Sequence, residues 1–273
     1  MDRSPQGAAE FRGVRQLGPK PKIADGRSRM ADRSSILDPQ FSKVSVLLAW
    51  LVHLYTALGA VVAFVSILLI EQSRFQEAFL LMFLAVVIDA TDGTLARAAR
   101  VKEIIPWFDG DRLEDIVDYA NYVIVPAYFL VHSDLLPRQD ALWLAALPLL
   151  ASAYGFSQRE AKTADHFFHG FPSYWNIVVF YFYVLQTPRW VNAFSIIVFS
   201  LLVFVPIRYV YPSRSPYLRN FTNVFAAAWG ALLLWVIYSL PESMPSVVFV
   251  SILFPAYYTA LSLKLEVKRL RSQ

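Results

Sequence analysis

Residues 75–98 read FQEAFLLMFLAVVIDATDGTLARA, and residues 109–132 read DGDRLEDIVDYANYVIVPAYFLVH. Each stretch contains an apolar run close to the ~20 residues that a helix needs to cross a bilayer. Acids end the first apolar run and open the second. Two successive antiparallel spans would therefore bring both acidic ends to the same membrane surface. Because ionisable groups at membrane depth are costly, these acids predict a functional site.

Four carboxylates in these stretches have the spacing of helix faces. Asp89 and Asp92 are three residues apart, whereas Glu114 and Asp118 are four apart. At the low effective dielectric of a membrane boundary, four converging carboxylates repel one another and require a cation. The chain has no cysteine, and no histidine is near these acids in the sequence, so a zinc site is disfavoured. Oxygen ligands favour Mg²⁺ or Mn²⁺, which also bind phosphate.

Two other interpretations of the acids stay open at this point. As ordinary helix-end residues, they would pair with Arg97, Arg100 and Lys102. As part of a transporter, they would lie on an ion path. Transporter sites lie near the bilayer midplane, however, whereas Asp89 follows its apolar run at the membrane boundary.

The rest of the chain is also membrane-like. Of the 273 residues, 56% are hydrophobic and only 17% are charged, against roughly 25% in soluble domains. The predicted fold class is an all-α polytopic integral membrane protein with about eight transmembrane helices. The apolar runs that predict them are 44–70, 76–92, 115–132, 140–156, 173–187, 190–210, 221–239 and 246–263.

The basic residues predict the orientation of these spans. With both termini in the cytoplasm, all but three of the 25 Lys and Arg residues fall in cytoplasmic segments, and the exceptions are Arg74, Arg138 and Arg189. This asymmetry follows the positive-inside rule and requires an even number of spans. It also accounts for the net charge of +4 without a nucleic-acid partner.

The N-terminal segment differs from the remainder. Residues 1–43 are rich in Arg, Ser, Pro and Gly and lack an apolar period, which predicts a disordered basic tail. Residues 44–273 form the predicted membrane domain. The boundary lies where the first apolar run begins.

The acidic motif resembles the signature of the CDP-alcohol phosphotransferase family, D-x2-D-G-x2-A-R followed by G-x3-D-x3-D. One position departs from the pattern, because Glu114 replaces the third Asp. The resemblance covers about residues 45–265, and segments 100–127 and 162–180 are similar to the choline-using branch of the family. The matching positions are Asp89, Asp92, Gly93, Ala96, Arg97, Gly110 and Asp118.

The resemblance implies a bacterial inner-membrane enzyme with its active site on the cytoplasmic side. It would transfer a phosphatidyl group from CDP-diacylglycerol to choline with Mg²⁺ or Mn²⁺, and a homodimer is expected. Alternatives are another acceptor (serine, inositol or glycerol phosphate) or a lipid-binding relative whose catalysis Glu114 has weakened. The implied metal ligands are Asp89, Asp92, Glu114 and Asp118, with Asp118 also the base, and the implied CDP contacts are Gly93, Ala96, Arg97 and Gly110.

Choline itself has a quaternary ammonium, which suits aromatic faces better than carboxylates. Tyr119 and Tyr122 are the first candidates, because Tyr119 adjoins Asp118 and Tyr122 lies four residues on, on the same helix face. The alternative is that such residues belong to an interfacial aromatic belt. Further aromatic residues expected at the same membrane surface are Phe167, Phe168, Tyr174 and Trp175.

Overall fold

A computed structural model describes residues 41–158, 167–210, 219–242 and 244–271. The chain divides into two units, residues 1–41 and 42–273, and every described helix and strand belongs to the second. The predicted N-terminal tail lies outside the described residues, apart from 41–43. The helices are α1 (Lys43–Glu71), α2 (Phe75–Ala98), α3 (Val101–Ile104), α4 (Gly110–Tyr119), a π-helical turn (Ala120–Ile124), α5 (Val125–His132), α6 (Ala141–Ser157), α7 (Trp175–Val184), α8 (Arg189–Leu202), α9 (Arg219–Tyr238), α10 (Pro245–Ser251) and α11 (Leu253–Arg271).

Each apolar run of the sequence contains a helix, although the run 190–210 extends beyond the end of α8 at Leu202. Among the described residues, four helical segments are long and apolar enough to cross a membrane: Lys43–Glu71, Phe75–Ala98, Asn220–Tyr238 and Pro245–Arg269. Shorter apolar helices occupy Ala141–Ser157, Trp175–Val184 and Arg189–Leu202. The prediction of a helical, multi-pass membrane protein is therefore confirmed.

Helix α1 has two distinct faces. Its buried face is a stripe of small and polar residues, the kind of surface that lets helices approach closely inside a membrane. Its other face exposes large aliphatic side chains such as Leu47, Leu54 and Val61, which suits contact with lipid. The buried stripe, which packs along α2 and against α4, comprises Ala49, His53, Thr56, Gly59, Ala63, Ser66 and Ile70.

An aromatic cluster joins α2, α5 and α7 away from the acids. The ring of Phe79 lies 4.8 Å from that of Phe129 and 5.4 Å from that of Phe180, measured between centroids. Tyr183 contacts the same group at 5.3 Å from Phe79. Phe79 and Phe129 are almost fully buried, so these rings form part of the packed core between the three helices.

A short β-ribbon is the one departure from helix among the described residues. Strands β1 (Phe167–His169) and β2 (Arg208–Val210) pair antiparallel, with Phe168 opposite Tyr209. Gly170 follows β1 with φ +76°, and a Cβ there would lie 2.2 Å from the Val203 carbonyl oxygen. The ribbon was not predicted, because three-residue strands leave too little periodicity to recognise.

Candidate active site

Three of the four predicted metal ligands come together at the acidic ends of α2 and α4. Carboxylate oxygens of Asp89, Glu114 and Asp118 all lie within 4.8 Å of one another, and the three side chains are half-buried. Within the described ranges, no other group of three or more Asp, Glu, His or Cys side chains meets this spacing. Helices α2 and α4 thus bring these three carboxylates together, and their role as metal ligands stays a prediction.

Asp92, the fourth predicted ligand, lies outside that three-carboxylate cluster. It is 5% exposed, and its Oδ2 accepts a hydrogen bond from the Thr56 hydroxyl of α1 at 2.9 Å. One residue earlier, Thr91 hydrogen-bonds the Tyr55 hydroxyl at 2.8 Å. These paired contacts hold the acidic end of α2 against α1.

Thr56 is a functional contact that sequence reasoning missed. The sequence nevertheless contains a signal for the position of Thr56. Thr56 and Gly59 are neighbouring members of the stripe of small and polar residues on α1. Such a stripe predicts a helix interface within a membrane. The stripe alone does not show that the Thr56 hydroxyl donates a hydrogen bond to Asp92, a carboxylate of the motif.

The end of α4 and the turn after it are positioned by α1 as well. A Cβ at Gly59 would lie 2.5 Å from Cγ1 of Val117, so only glycine permits this approach. The buried side chain of Asn121 donates to the carbonyls of Gly59 and Val117, at 2.9 and 3.0 Å. Asn121 lies in the π-helical turn directly after Asp118, and single π turns occur frequently at functional sites.

Gly110 has a packing role in this arrangement. A Cβ on Gly110 would lie 2.7 Å from Cε1 of His53, a residue that is 7% exposed. The His53 ring also packs on Phe108, with centroids 4.4 Å apart. Gly110 therefore accommodates a histidine from α1, and its predicted contact with CDP stays a prediction.

The other positions expected to hold CDP leave room for a ligand. Among the described residues, a Cβ at Gly93 would meet only the guanidinium of Arg97, at 3.4 Å. Arg97 is exposed and its Nη2 donates to the Thr94 hydroxyl at 3.0 Å. Ala96 is half-buried on the same turn of α2. An exposed guanidinium beside an open glycine is suited to holding phosphate oxygens.

The two tyrosines expected to bind choline lie in different environments. The Tyr122 hydroxyl donates to Oδ2 of Asp89 at 2.8 Å, and the side chain is 9% exposed. Tyr119 instead donates to the Leu149 carbonyl at 2.8 Å and packs on Phe156 at 5.7 Å between ring centroids. The structure thus brings Tyr122 to the three-carboxylate cluster and turns Tyr119 toward α6.

A second tyrosine approaches Tyr122 from the loop before α7. Tyr174 and Asp118 both lie within electrostatic range of the Tyr122 hydroxyl. The preceding residue, Ser173, hydrogen-bonds Ser152 at 2.9 Å, which fixes the loop on α6. Trp175 is fully buried in the core, and the side chains of Phe167 and Phe168 lie outside the described residues. Sequence reasoning did not connect Tyr122 with Tyr174, because the two residues are far apart in the sequence.

The three-carboxylate cluster fits a hard divalent cation. All its donors are oxygens, which Mg²⁺ and Mn²⁺ prefer, and three negative charges this close need a positive partner. The donors that would hold such an ion are Asp89, Glu114 and Asp118. Asp92, fixed by Thr56, lies one helical turn away from Asp89 on α2.

Comparison with known proteins identifies relatives over most of the chain. No family model matches it. A phosphatidylcholine synthase of Legionella pneumophila is 40% identical over 233 residues, covering 83% of this chain and 91% of that protein. Phosphatidylcholine synthases of Legionella bozemanae and Pseudomonas aeruginosa are 49% and 37% identical over 57% and 61% of the chain, and 72% and 70% of their own lengths. With that identity over almost the whole of a relative, the chain belongs to the phosphatidylcholine synthase family.

Proposed function

We propose that this chain is a CDP-diacylglycerol–choline O-phosphatidyltransferase. The choline hydroxyl oxygen attacks the phosphorus that carries the diacylglycerol, and the bond from that phosphorus to CMP breaks. The electron pair leaves with CMP, the proton passes to a carboxylate, and the products are phosphatidylcholine and CMP. The observation that carries the proposal is the convergence of Asp89, Glu114 and Asp118 within 4.8 Å, in a chain related to phosphatidylcholine synthases.

Each carboxylate has its own part in this proposal. Asp118 accepts the choline proton, while Asp89, oriented by the Tyr122 hydroxyl, and Glu114 complete the donor set. Asp92, held by Thr56, joins them from the next turn of α2. Bound Mg²⁺ or Mn²⁺ would neutralise charge on the phosphoryl group and on the leaving CMP. Arg97 and Gly93 hold the phosphates of the nucleotide.

The ammonium of choline is held by aromatic faces. The Tyr122 ring adjoins the acids, and Tyr174 approaches it from the loop before α7. The negative faces of such rings attract a quaternary ammonium, which has no proton to donate. A cation held on these rings favours choline over inositol and glycerol phosphate, which carry no cationic group.

Replacing Tyr122 with alanine tests this choline site. We expect Tyr122→Ala to raise the KM for choline about 2- to 30-fold, because a lost cation–π contact costs roughly 0.5–2 kcal/mol. The KM for CDP-diacylglycerol should change little. Tyr119→Ala is the matched control, since its hydroxyl bonds Leu149 away from the acids. If Tyr119→Ala raises the choline KM and Tyr122→Ala does not, the site lies on the other face of α4.

We also propose eight spans in the bacterial inner membrane, with both termini and the acids at the cytoplasmic face. The three arginines assigned to the outer side each lie near an acid, as expected where basic charge is disfavoured: Arg74 with Glu77, and Arg138 and Arg189 with Asp134. Hydrogen bonds from Arg138 hold the pKa of the Asp134 carboxyl below its usual value. Because the chain has no cysteine, single cysteines introduced into each loop would report its side through impermeant thiol labelling.

A homodimer is proposed as the working assembly. Its support is the resemblance to a family that dimerises, together with broad apolar surface on α1 that a second copy could cover. Cross-linking in native membranes tests it, and a chain that remains monomeric and fully active contradicts it.

The acceptor is tested directly with purified protein. We expect incubation with CDP-diacylglycerol and labelled choline to yield labelled phosphatidylcholine and equimolar CMP. Labelled serine, inositol and glycerol phosphate, offered in parallel, should yield little lipid. A labelled lipid formed from one of those three would replace choline as the acceptor.

The same assay tests the metal. Because the carboxylates need a cation, excess EDTA should reduce CMP release to background, and Mg²⁺ or Mn²⁺ should restore it. Full turnover in EDTA would exclude a divalent-metal mechanism. Binding of CDP-diacylglycerol without any CMP release, in the presence of either metal, would instead identify a lipid-binding relative.

A further inference from the structure

An apolar cavity of about 520 Å³ lies between α2, α7 and α9. Its volume falls within the roughly 300–1,000 Å³ of ordinary ligand sites. Helix α9 makes the space, because it presents small residues where the neighbouring helices present aromatic ones. Those small residues are Ala226, Ala227, Gly230 and Ala231.

The cavity begins at the level of the three-carboxylate cluster along α2. Ala90, which lines it, directly follows Asp89 on α2, and the lining continues along that helix to Phe79. At a rise of ~1.5 Å per residue, this stretch of α2 is roughly 16 Å long. One leaflet accounts for about half of the ~30 Å hydrocarbon core. The cavity therefore has the depth of a single leaflet, measured from the acids.

One end of the cavity is closed, while one side is open. At the end remote from the acids, the Gln76 side chain donates to the carbonyls of Ile237 and Tyr238, at 2.9 and 3.1 Å, and ties α9 to α2. Along the side, Ala90 and Ala227 line the cavity and are both exposed at the protein surface. A ligand can thus enter sideways from the membrane.

The lining indicates a hydrocarbon ligand. It is made of aliphatic and aromatic side chains, with Asn176 as the polar residue among them. The Asn176 Oδ1 already accepts a hydrogen bond from the backbone N–H of Ile177 at 2.9 Å. A nucleotide or a polar headgroup would lose its hydrogen bonds to water here, whereas each buried methylene contributes about 0.8 kcal/mol.

We propose that this cavity binds one acyl chain of CDP-diacylglycerol and so aligns the lipid phosphate with the three-carboxylate cluster. The inference rests on the proposed function. A chain buried along α2 from Ala90 toward Phe79 leaves its glycerol end at the level of Asp89. The second acyl chain remains in the surrounding lipid, because the cavity has the depth of one leaflet and opens on one side.

Substitutions on α9 test the proposal. Leu233→Trp and Leu234→Trp narrow the cavity near its end remote from the acids, where Gln76 bonds the Ile237 carbonyl. With dioleoyl CDP-diacylglycerol we expect each variant to raise the KM about tenfold, as for exclusion of roughly two methylenes. With the dihexanoyl analogue, whose short chains do not reach that depth, the KM should stay within twofold of wild type.

Leu232→Trp is the matched control, because Leu232 directly precedes Leu233 on α9 and does not line the cavity. It should leave both KM values unchanged, and detergent melting temperatures establish that the variants fold. Equal losses with both substrates would overturn the proposal and indicate a structural lipid in the cavity. Unchanged KM values in both narrowing variants would overturn it as well. An inactive wild-type protein with either substrate would contradict the proposed function instead.

Discussion

Asp118→Asn is expected to lower turnover by at least about a thousandfold. General-base catalysis alone contributes roughly 10²- to 10⁴-fold, and this substitution also removes one charge from the three-carboxylate cluster. The amide is nearly the same size, so packing around the adjacent π-helical turn should persist. The measurement is kcat for labelled phosphatidylcholine formation at saturating choline, Mg²⁺ or Mn²⁺, and CDP-diacylglycerol.

Asp111→Asn provides the comparison for this effect. Asp111 is on the same helix, but its side chain is 70% exposed and forms an ion pair with Lys102 at 2.7 Å. It should retain near-normal turnover, because exposed pairs of this kind contribute little. Near-normal turnover in Asp118→Asn would show that another group accepts the choline proton. The remaining acids of the cluster would then be the groups to examine.

Glu114→Gln is expected to lower turnover at least a hundredfold, on the order of 2.7 kcal/mol of transition-state stabilisation. The substitution keeps the length of the side chain and removes its charge. A carboxylate that holds a catalytic cation contributes several kcal/mol through the charge it helps to place. Wild-type turnover in this variant would exclude Glu114 as a ligand and direct attention to Asp111 or Asp115.

Glu114→Asp tests whether the site is adapted to glutamate at this position or whether glutamate is a strained substitute for aspartate. The Glu114 carboxylate already reaches to within 4.8 Å of both Asp89 and Asp118, so its longer arm suits this backbone. Shortening it by one methylene should pull the oxygens away and lower activity, though less than Glu114→Gln does. A rise in activity would mean that glutamate is a strained substitute for the family's aspartate.

The local sequence was sufficient to predict the apolar helices and the helix faces on which the acids lie. Membrane spans can be read from sequence because lipid obliges each segment to satisfy its backbone hydrogen bonds internally, so apolar runs become helices. Helical spacing then predicts that Glu114 and Asp118 share a face. The pairing with Asp89 followed from the antiparallel order of consecutive spans. The β-ribbon was beyond this reasoning, because its pairing joins segments that are distant in the sequence.

The sequence by itself thus determined a helical membrane protein with acids at one boundary, since those features depend on local composition and on helical periodicity. Only the tertiary structure decided which neighbours those residues have. It paired Asp92 with Thr56, separated Tyr122 from Tyr119, and opened a leaflet-deep cavity at the level of Asp89. The physical reason is that these contacts depend on how α1, α7 and α9 pack on α2 and α4. Helix packing joins side chains far apart in the sequence, and no local pattern records it.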